Sequence, residues 1–214
     1  FYSGYNKWYR PFLQRLCYRF GSVNYGTESS SCFTSTIMSW RLAAGADFAG
    51  PDLKNAGIFL GWGYNACWSS YLQYAAVERA RIRGMKVIIV DPRITPAVEK
   101  QCDLHLRIRP GTDGALALGL AREMIVNGWI DRDYIRENVY GFEEYAEYVK
   151  QFTPERASEL TGVPPELIVR AVEMIHENAP VAINESGAAI LHHRNGMQTY
   201  RAIMSLSALM GTFD

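Results

Sequence analysis

Two short apolar runs with a helical pattern between them define the centre of this chain. The first run, residues 58–62, ends in Gly63-Tyr64-Asn65, and the second, residues 85–90, leads into Asp91-Pro92-Arg93. Apolar runs bounded by turn residues are typical of strands that are buried on both faces. The intervening helical pattern covers about 69–83 and ends at a glycine. The pattern therefore predicts a right-handed βαβ unit.

The same kinds of pattern continue on both sides of this unit. Residues 104–108 and 181–184 are predicted to be further strands. Helical spacing predicts further helices at 7–19, 33–44, 96–101, 115–127, 131–138, 142–152, 154–160, 166–178 and 197–210. We therefore predict an α/β fold, a dinucleotide-binding-like parallel sheet with helices on both faces, plus part of a second α/β domain.

The predicted helix at 7–19 carries an apolar face. Trp8, Phe12, Leu13 and Leu16 recur at helical spacing. Such a stripe normally packs against another element. We therefore predict that this helix packs onto a sheet.

Candidate ligand-binding residues follow the first two strands of the βαβ unit. Gly63 and Asn65 come after one strand and Asp91 after the other. Ligands of parallel sheets bind at the carboxyl ends of the strands, where a glycine lets a phosphate approach and a carboxylate suits a ribose hydroxyl. These residues outline a nucleotide pocket. The alternative is a βαβ unit with ordinary loops.

Asp113 follows the third predicted strand and opens an apolar helix. One interpretation is that its side chain caps this helix by accepting from free backbone amides. The other is that it accepts hydrogen bonds from the edge of a nucleobase. The sequence leaves both interpretations open.

Composition excludes several classes of partner. Lys plus Arg and Asp plus Glu both number 22, so no net charge favours nucleic acid or an anionic membrane. No run of 18 apolar residues is present, so no transmembrane span is predicted. The chain begins at Phe1 and ends at Asp214 without evident start or stop signals, so we expect a central portion of a longer protein. The cellular compartment, periplasm or cytoplasm, stays open.

Four cysteines, Cys17, Cys32, Cys67 and Cys102, are far apart and form no C-x-x-C pair. Spacing therefore gives no indication of a zinc or iron–sulfur site, and isolated cysteines are often buried hydrophobes. Cys32 differs because the polar loop 21–31 delivers it to the start of a helix. The helix dipole favours a thiolate there, so Cys32 is the candidate reactive or metal-binding thiol.

Several motifs, in this order along the chain, resemble one family. They are G-S-V-N…T-E-S-S-S-C at 21–32, G-Y-N at 63–65, V-I-I-V-D-P-R at 87–93, R-P-G-T-D-G-A-L at 109–116, T-P-E-R-A-S-E-L-T-G-V-P at 153–164 and the closing N-G-M-Q-T-Y-R-A-I…L-M-G at 195–211. Together they resemble the molybdopterin-dependent oxidoreductases of the dimethyl sulfoxide reductase superfamily. The resemblance covers nearly the whole chain.

The resemblance implies a role for each matching residue. Cys32 would be the catalytic thiolate ligand of molybdenum or tungsten. Asp91 would contact the ribose and Asp113 the guanine of a molybdopterin guanine dinucleotide, and Gly187 and His193 would lie near the pterin. The full set of implied cofactor-binding residues is Gly63, Tyr64, Asn65, Asp91, Arg93, Gly111, Asp113, Gly187 and His193.

The resemblance also implies an organisation and an activity. Residues 1–50 would belong to a neighbouring α/β domain with the metal-ligand loop, 51–180 to the dinucleotide-binding domain, and 181–214 to a truncated return into the neighbour. A 4Fe-4S cluster would lie in a preceding part of the full protein, and an iron–sulfur subunit would exchange electrons with it. The full enzyme would catalyse two-electron redox or oxygen-atom or hydroxyl transfer on a small substrate, as in anaerobic respiration, and this piece alone would be inactive.

Departures from the family pattern keep alternatives open. Phe33 follows Cys32 where related formate dehydrogenases have histidine, and Ala66 follows Asn65 where many relatives have proline. A non-catalytic subunit of an electron-transfer complex, such as the large subunit of respiratory NADH dehydrogenase, would keep the fold without molybdenum. A nicotinamide-dependent dehydrogenase would need G-x-G-x-x-G after the first strand, and Gly61 and Gly63 do not supply it. The substrate cannot be read from the sequence.

Overall fold

The computed structural model of the chain describes residues 1–4, 7–30, 32–47 and 49–213. The predicted loop 21–31 ends on Ser31, and the predicted domain 1–50 includes Tyr5, Asn6 and Phe48. These residues and Asp214 lie outside the described residues.

The main sheet contains four parallel strands in the order β5-β4-β3-β6 among the described residues. The strands are β3 (Ile58–Trp62), β4 (Lys86–Val90), β5 (Leu104–Leu106) and β6 (Val181–Glu185), and a separate pair is formed by β1 (Tyr2–Ser3) and β2 (Gly26–Thr27). β3 is central and pairs with β4 on one side and β6 on the other. The predicted parallel sheet is confirmed.

Helices connect and flank these strands. Their bounds are α1 (Arg10–Arg19), a 3-10 turn (Glu28–Ser30), α2 (Thr34–Ala44), α3 (Ala66–Ser69), α4 (Tyr71–Ile82), α5 (Pro96–Gln101), α6 (Asp113–Val126), α7 (Arg132–Asn138), α8 (Phe142–Val149), α9 (Pro154–Thr161), α10 (Pro165–Glu177), α11 (Gly187–Leu191) and α12 (Gly196–Leu209). Gly45, at a φ of 66°, ends α2 as expected for a left-handed helix cap.

Each face of the main sheet packs against helices because side chains alternate along the strands. Ile58, Leu60 and Trp62 of β3 face the larger core, to which α6, α9, α10 and α12 contribute. Phe59 faces a smaller core with residues of α4 and α5. All five residues of β3 are buried, as its continuous apolar run predicts. The α/β fold with helices on both faces is therefore confirmed.

Several predicted boundaries differ from the structure. The helix predicted at 69–83 is divided, because Ser70 adopts an extended backbone with φ −156° and ψ 82° between α3 and α4. β5 ends at Leu106 rather than at residue 108, and β6 continues through Glu185 rather than ending at residue 184. The β1–β2 pair was not predicted, because two-residue strands are too short to leave a periodic pattern.

The prediction that the first helix packs its apolar face onto a sheet is wrong. In α1 and just before it, Trp8, Phe12 and Leu16 are 88%, 74% and 55% exposed, and Cys17 is the buried residue of the helix. Helical spacing shows that an apolar face exists, but it cannot show what covers that face.

Residues 181–213 pack against residues 51–180. β6 pairs with β3 along its whole length, and α12 packs on both α6 and α2. The division into domains at 50 and 180 stays a prediction. Among the described helices, none combines the length and the apolar character needed to cross a membrane.

Candidate functional site

The carboxyl ends of the parallel strands form the candidate site. The chain leaves β3 toward β4 and β5 on one side, and β6 returns on the other side of β3. A crevice opens at such a topological switch point, and ligands of open α/β sheets bind there. Here the switch point lies between Gly63 after β3 and Ser186 after β6, and the Ser186 amide donates to the Trp62 carbonyl over 2.9 Å.

Gly63 forms a tight turn at the switch point. Its φ is 63°, a left-handed conformation that favours glycine. A Cβ atom at this position would lie 2.8 Å from the Cβ of Ala189 and 3.0 Å from the Cβ of Ser186. Backbone conformation and close packing thus both require glycine.

The two residues after Gly63 face different surroundings. Tyr64 is 2% exposed, packs edge-to-face on Phe59 at 5.0 Å, and donates from its hydroxyl to Gln101 at 3.4 Å. Its side chain therefore belongs to the smaller core, and a ligand could contact its backbone. Asn65 has a buried Oδ1 that accepts no hydrogen bond within the described part of the chain. A buried acceptor without a donor is costly, so this atom suits a ligand donor.

Asp91 lies buried at the end of β4 with 4% exposure. Its Oδ1 accepts from the Arg93 backbone amide at 2.8 Å, and the exposed Arg93 guanidinium has its Nε 3.7 Å from the same oxygen. The side chain of Asp91 is thus oriented from within its own turn. His105 bonds the Asp91 carbonyl oxygen through Nε2 at 2.9 Å and fixes the backbone of that turn.

Asp113 does not cap α6. The cap position is Thr112, and Asp113 is the first residue inside the helix. The Oδ1 of Asp113 accepts instead from the indole Nε1 of Trp62 at 2.8 Å. This buried bond joins the end of β3 to the start of α6 and holds the carboxylate, which is 9% exposed, at the edge of the site.

Cys32 lies at the junction between the 3-10 turn and α2. It is partly buried, and its backbone amide donates to the Glu28 carbonyl at 2.6 Å. One turn further, Thr36 has a buried hydroxyl that makes no hydrogen bond among the described residues. That hydroxyl lies 3.2 Å from the position of a Cβ on Gly187. The helix that follows the predicted metal ligand thus contacts the predicted pterin-binding turn.

A broad groove brings three of the predicted residues together. Gly111, Asp113 and His193 line a cavity of about 1580 Å³ between α2, α6, α8 and α12. His193 is exposed and its Nε2 bonds the Ala189 carbonyl at 2.9 Å. Other predicted residues do not line this groove. Gly63, Asn65, Asp91 and Arg93 follow strands, Gly187 begins α11, and Cys32 lies just before α2.

The remaining cysteines have no sign of reactivity. All four cysteines are free, as Cys17, Cys32, Cys67 and Cys102 form no disulfide in the described structure. Burial raises the pKa of Cys102 to about 11, and it also raises the pKa of Cys67. Thiols with raised pKa values are poor nucleophiles and ligands. Nowhere in the described ranges do three or more His, Cys, Asp or Glu side chains cluster as a metal site.

Sequence reasoning missed Glu185. The predicted strand stopped one residue short and placed Glu185 in a loop, whereas the structure pairs it with Trp62 of β3. The signal was a glutamate at the end of an apolar strand. Burial raises the pKa of this carboxyl to about 7, and hydrogen bonds from its own backbone and from Tyr200 oppose that shift.

Replacing Glu185 with Gln is expected to stabilise this region at pH values above 7. The folded protein keeps the proton up to about pH 7, whereas the unfolded chain releases it near pH 4.5. The part of the free energy of unfolding that is linked to the Glu185 proton is therefore fully present below pH 4.5. It is lost as the pH rises to 7, and this loss is at most roughly 3 kcal/mol. Glutamine does not titrate, so it avoids the loss. Hydrogen exchange of the β6 amides at several pH values measures the difference. A difference that does not vary with pH would contradict it.

Comparisons with known proteins assign nearly the whole chain to one family. The family model described as molybdopterin oxidoreductase matches residues 3–214. An F420-dependent formate dehydrogenase alpha subunit from Methanocaldococcus jannaschii is 31% identical, with 86% of this chain and 26% of that protein covered. The molybdopterin-containing thiosulfate reductase subunit PhsA from Salmonella typhimurium is 29% identical, with 94% and 26% covered.

A solved structure supports the same relationship. Acetylene hydratase from Pelobacter acetylenicus superimposes with a TM-score of 0.80 at 28% identity, covering 94% of this chain and 28% of that chain. The chain thus spans little more than a quarter of the length of these relatives. Their names describe three different reactions.

Proposed function

Because this chain belongs to the molybdopterin oxidoreductase family, we propose that it is the central part of a molybdenum or tungsten enzyme with a bis-molybdopterin guanine dinucleotide cofactor. In this proposal the crevice between β3 and β6 binds one dinucleotide, and Cys32 supplies a thiolate to the metal. The whole enzyme catalyses two-electron redox or oxygen-atom or hydroxyl transfer on a small substrate. A 4Fe-4S cluster and an iron–sulfur partner subunit belong to the same proposal.

The unpartnered Oδ1 of Asn65 carries this proposal. It lies buried one residue past the Gly63-Tyr64 turn, where the switch point favours a ligand. An acceptor oxygen needs a hydroxyl or amino donor, both of which the sugar and pterin of the cofactor offer. A phosphate offers acceptor oxygens and no donor. A phosphate at this position would therefore require the Asn65 amide to be turned so that its Nδ2 donor faces the phosphate.

Asp113 is suited to the guanine base. Its Oδ1 is held by Trp62 at 2.8 Å, so the carboxylate has a fixed orientation at the groove that Gly111 also lines. A carboxylate can accept from the ring N–H and the exocyclic amino group of guanine at once. Adenine presents no such pair of donors.

Asp91 is suited to a ribose hydroxyl. It is a buried carboxylate at the carboxyl end of the strand beside β3, and one of its oxygens accepts from the Arg93 amide. A second oxygen is left to accept from a sugar hydroxyl, which is the role of the acidic residue in dinucleotide sites.

Cys32 and Thr36 are suited to the metal end of the cofactor. A thiolate is a soft ligand that suits a metal already bound by dithiolene sulfurs. When bound, the metal–pterin centre supplies the two-electron chemistry. The protein's part is to present the thiolate at the start of α2 and to bring the unpartnered Thr36 hydroxyl beside Gly187, where it can donate to the ligand.

The metal and nucleotide content of the purified full-length protein tests the proposal. We expect one molybdenum or tungsten per polypeptide and two guanosine monophosphates released on acid hydrolysis. A protein that binds neither metal nor pterin would overturn the proposal and would favour the non-catalytic subunit. A nicotinamide nucleotide in place of guanosine would favour a dehydrogenase.

Replacing Asp113 with Asn is expected to lower guanine-dinucleotide loading. The asparagine amide would face one of the two guanine donors with a donor of its own. An unpaired polar contact of this kind costs about 1–3 kcal/mol, or roughly 5- to 150-fold in affinity. The ratio of released guanosine monophosphate to polypeptide measures this loss.

Asp131→Ala is the matched control for Asp113→Asn. Asp131 caps α7 by accepting from the Tyr134 amide at 2.8 Å, so its loss costs a helix cap of about 1 kcal/mol without altering the groove contact of Asp113. Equal loading in Asp113→Asn, Asp131→Ala and parent protein would rule out base recognition by Asp113.

A further inference from the structure

A tight turn holds Arg194 just before α12. The Gly196 amide donates to the His193 carbonyl at 3.0 Å and closes a β-turn in which Arg194 is the second residue. The backbone of Asn195, with φ −109° and ψ 21°, is typical of the third residue of a type I turn. A Cβ atom on Gly196 would overlap the Leu191 carbonyl group, so close packing requires glycine here. The backbone position of Arg194 is therefore well defined.

The starts of α6 and α12 lie side by side. Asp113 is the first residue of α6, and Gly196 is the first residue of α12. A Cβ atom on Gly114 would lie 3.3 Å from the hydroxyl oxygen of Thr199, so the first turns of the two helices pack closely. Asp113 and Arg194 consequently line the same groove.

Arg194 brings an unpaired positive charge to this groove. It is exposed, and its guanidinium forms no ion pair or hydrogen bond with any described residue. The other charged side chains that line the groove have partners, as Arg201 donates to Gln198, Asp47 pairs with Arg41, Asp113 accepts from Trp62, and the His193 ring bonds the Ala189 carbonyl. The N–H donors of the Arg194 guanidinium are thus available to a ligand.

Asp113 and Arg194 carry opposite charges in one groove and do not bind each other. No ion pair joins them within the described ranges, so the space between them can hold a ligand group. Such a ligand needs donors for the carboxylate directly beside an acceptor for the guanidinium. Guanine has this arrangement on a single edge, where its amino group and ring N–H are followed by O6.

We propose that Arg194 is a specificity-determining residue of the dinucleotide site, and that its guanidinium donates to O6 of the guanine bound by Asp113. This inference rests on the proposed function and adds a residue to its guanine contact. Adenine carries an amino group in place of O6, and a guanidinium has no acceptor for it. Asp113 and Arg194 together therefore recognise all three polar groups of the guanine edge.

The test uses the full-length protein from cells that cannot make molybdopterin, with GMP and 6-thio-GMP as probes. The thio compound replaces O6 by sulfur, a weak acceptor, and keeps both donors that face Asp113. Calorimetric titrations compare the parent with Arg194→Met, Arg194→Lys and the control Arg201→Met. The control removes the same charge from the same groove.

The variants are expected to differ in their preference between the two probes. The parent and Arg201→Met should bind GMP about tenfold more tightly than 6-thio-GMP. Arg194→Met should bind GMP about tenfold more weakly than the parent does, and it should bind both probes equally. Arg194→Lys should keep part of the preference, because lysine offers a donor without the planar fork of arginine.

The outcomes that would overturn the inference differ from those that would overturn the proposed function. A preference for GMP that survives in Arg194→Met would mean that another donor binds O6. Equal weakening of both probes in Arg194→Met would mean that the guanidinium binds the phosphate. In either case the guanine contact of Asp113 stands if Asp113→Asn still weakens GMP binding. A lack of GMP binding in every protein, including the control, would overturn the proposed function and the inference with it.

Pterin serves as a third probe because it carries the same edge of amino group, ring N–H and carbonyl oxygen as guanine. The parent is expected to bind GMP more tightly than pterin. Tighter binding of pterin, lost in Arg194→Met, would assign Asp113 and Arg194 to the pterin end of the cofactor and would overturn the guanine contact.

Discussion

Cys32→Ala is expected to abolish turnover of the full-length enzyme, by more than about a thousandfold, as for other groups that act directly in catalysis. The proposed metal loses its thiolate, whereas the fold keeps its local bonds. The Cys32 amide donates to Glu28 through the backbone, and the first turn of α2 is closed by Ile37 and Phe33. Turnover and the absorption spectrum of the metal centre measure the effect.

Cys67→Ala and Cys102→Ala are the matched controls. Both are partly buried thiols whose pKa values are raised by burial, so neither is expected to bind metal or to affect turnover. If Cys32→Ala kept ordinary activity and an unchanged metal spectrum, the ligand would have to be another group.

Gly63→Ala is expected to disrupt the crevice. A left-handed backbone costs a non-glycine residue about 1–2 kcal/mol, and the added methyl group would overlap Ala189 and Ser186, which adds about 1–3 kcal/mol of overpacking. The turn after β3 should then shift away from α11. We expect faster hydrogen exchange in the turns after β3 and β6 and a loss of cofactor content.

Gly45→Ala separates the two contributions. Gly45 has a φ of 66°, close to that of Gly63, but no described heavy atom lies within 4 Å of a Cβ built there. This control therefore carries the backbone strain without the overlap. Equal losses of stability and cofactor content in both variants would show that close packing at the switch point is unimportant.

Local patterns predicted the elements that carry strong local signals. The apolar runs of β3 and β4, each followed by turn residues, predicted both strands and the positions of Gly63 and Asp91 correctly. Strand length was harder to predict, since pairing with β3 extends β6 to Glu185. That one-residue error removed Glu185 from the set of candidate residues.

Patterns that depend on a partner element were interpreted less well. The apolar spacing of α1 is real, but Trp8 and Phe12 are exposed in the described structure. Spacing records which side chains share a face and carries no information on what lies opposite. Asp113 shows the same limit, because both a cap and a base contact fit the sequence until the bond to Trp62 is known.

The sequence by itself determined the α/β class, the βαβ unit and the family resemblance, and it supplied the candidate site residues Cys32, Gly63, Asn65, Asp91 and Asp113. These follow from backbone preferences and apolar periodicity, which act over a few residues. The tertiary structure decided the strand order, the contact of Gly63 with Ser186, the bond of Trp62 to Asp113 and the bond of Trp40 to Tyr200. These contacts join residues 51 to 160 positions apart, as Trp62 with Asp113 and Trp40 with Tyr200 show. Packing of the whole sheet and its helices fixes such distances, and no local pattern encodes them.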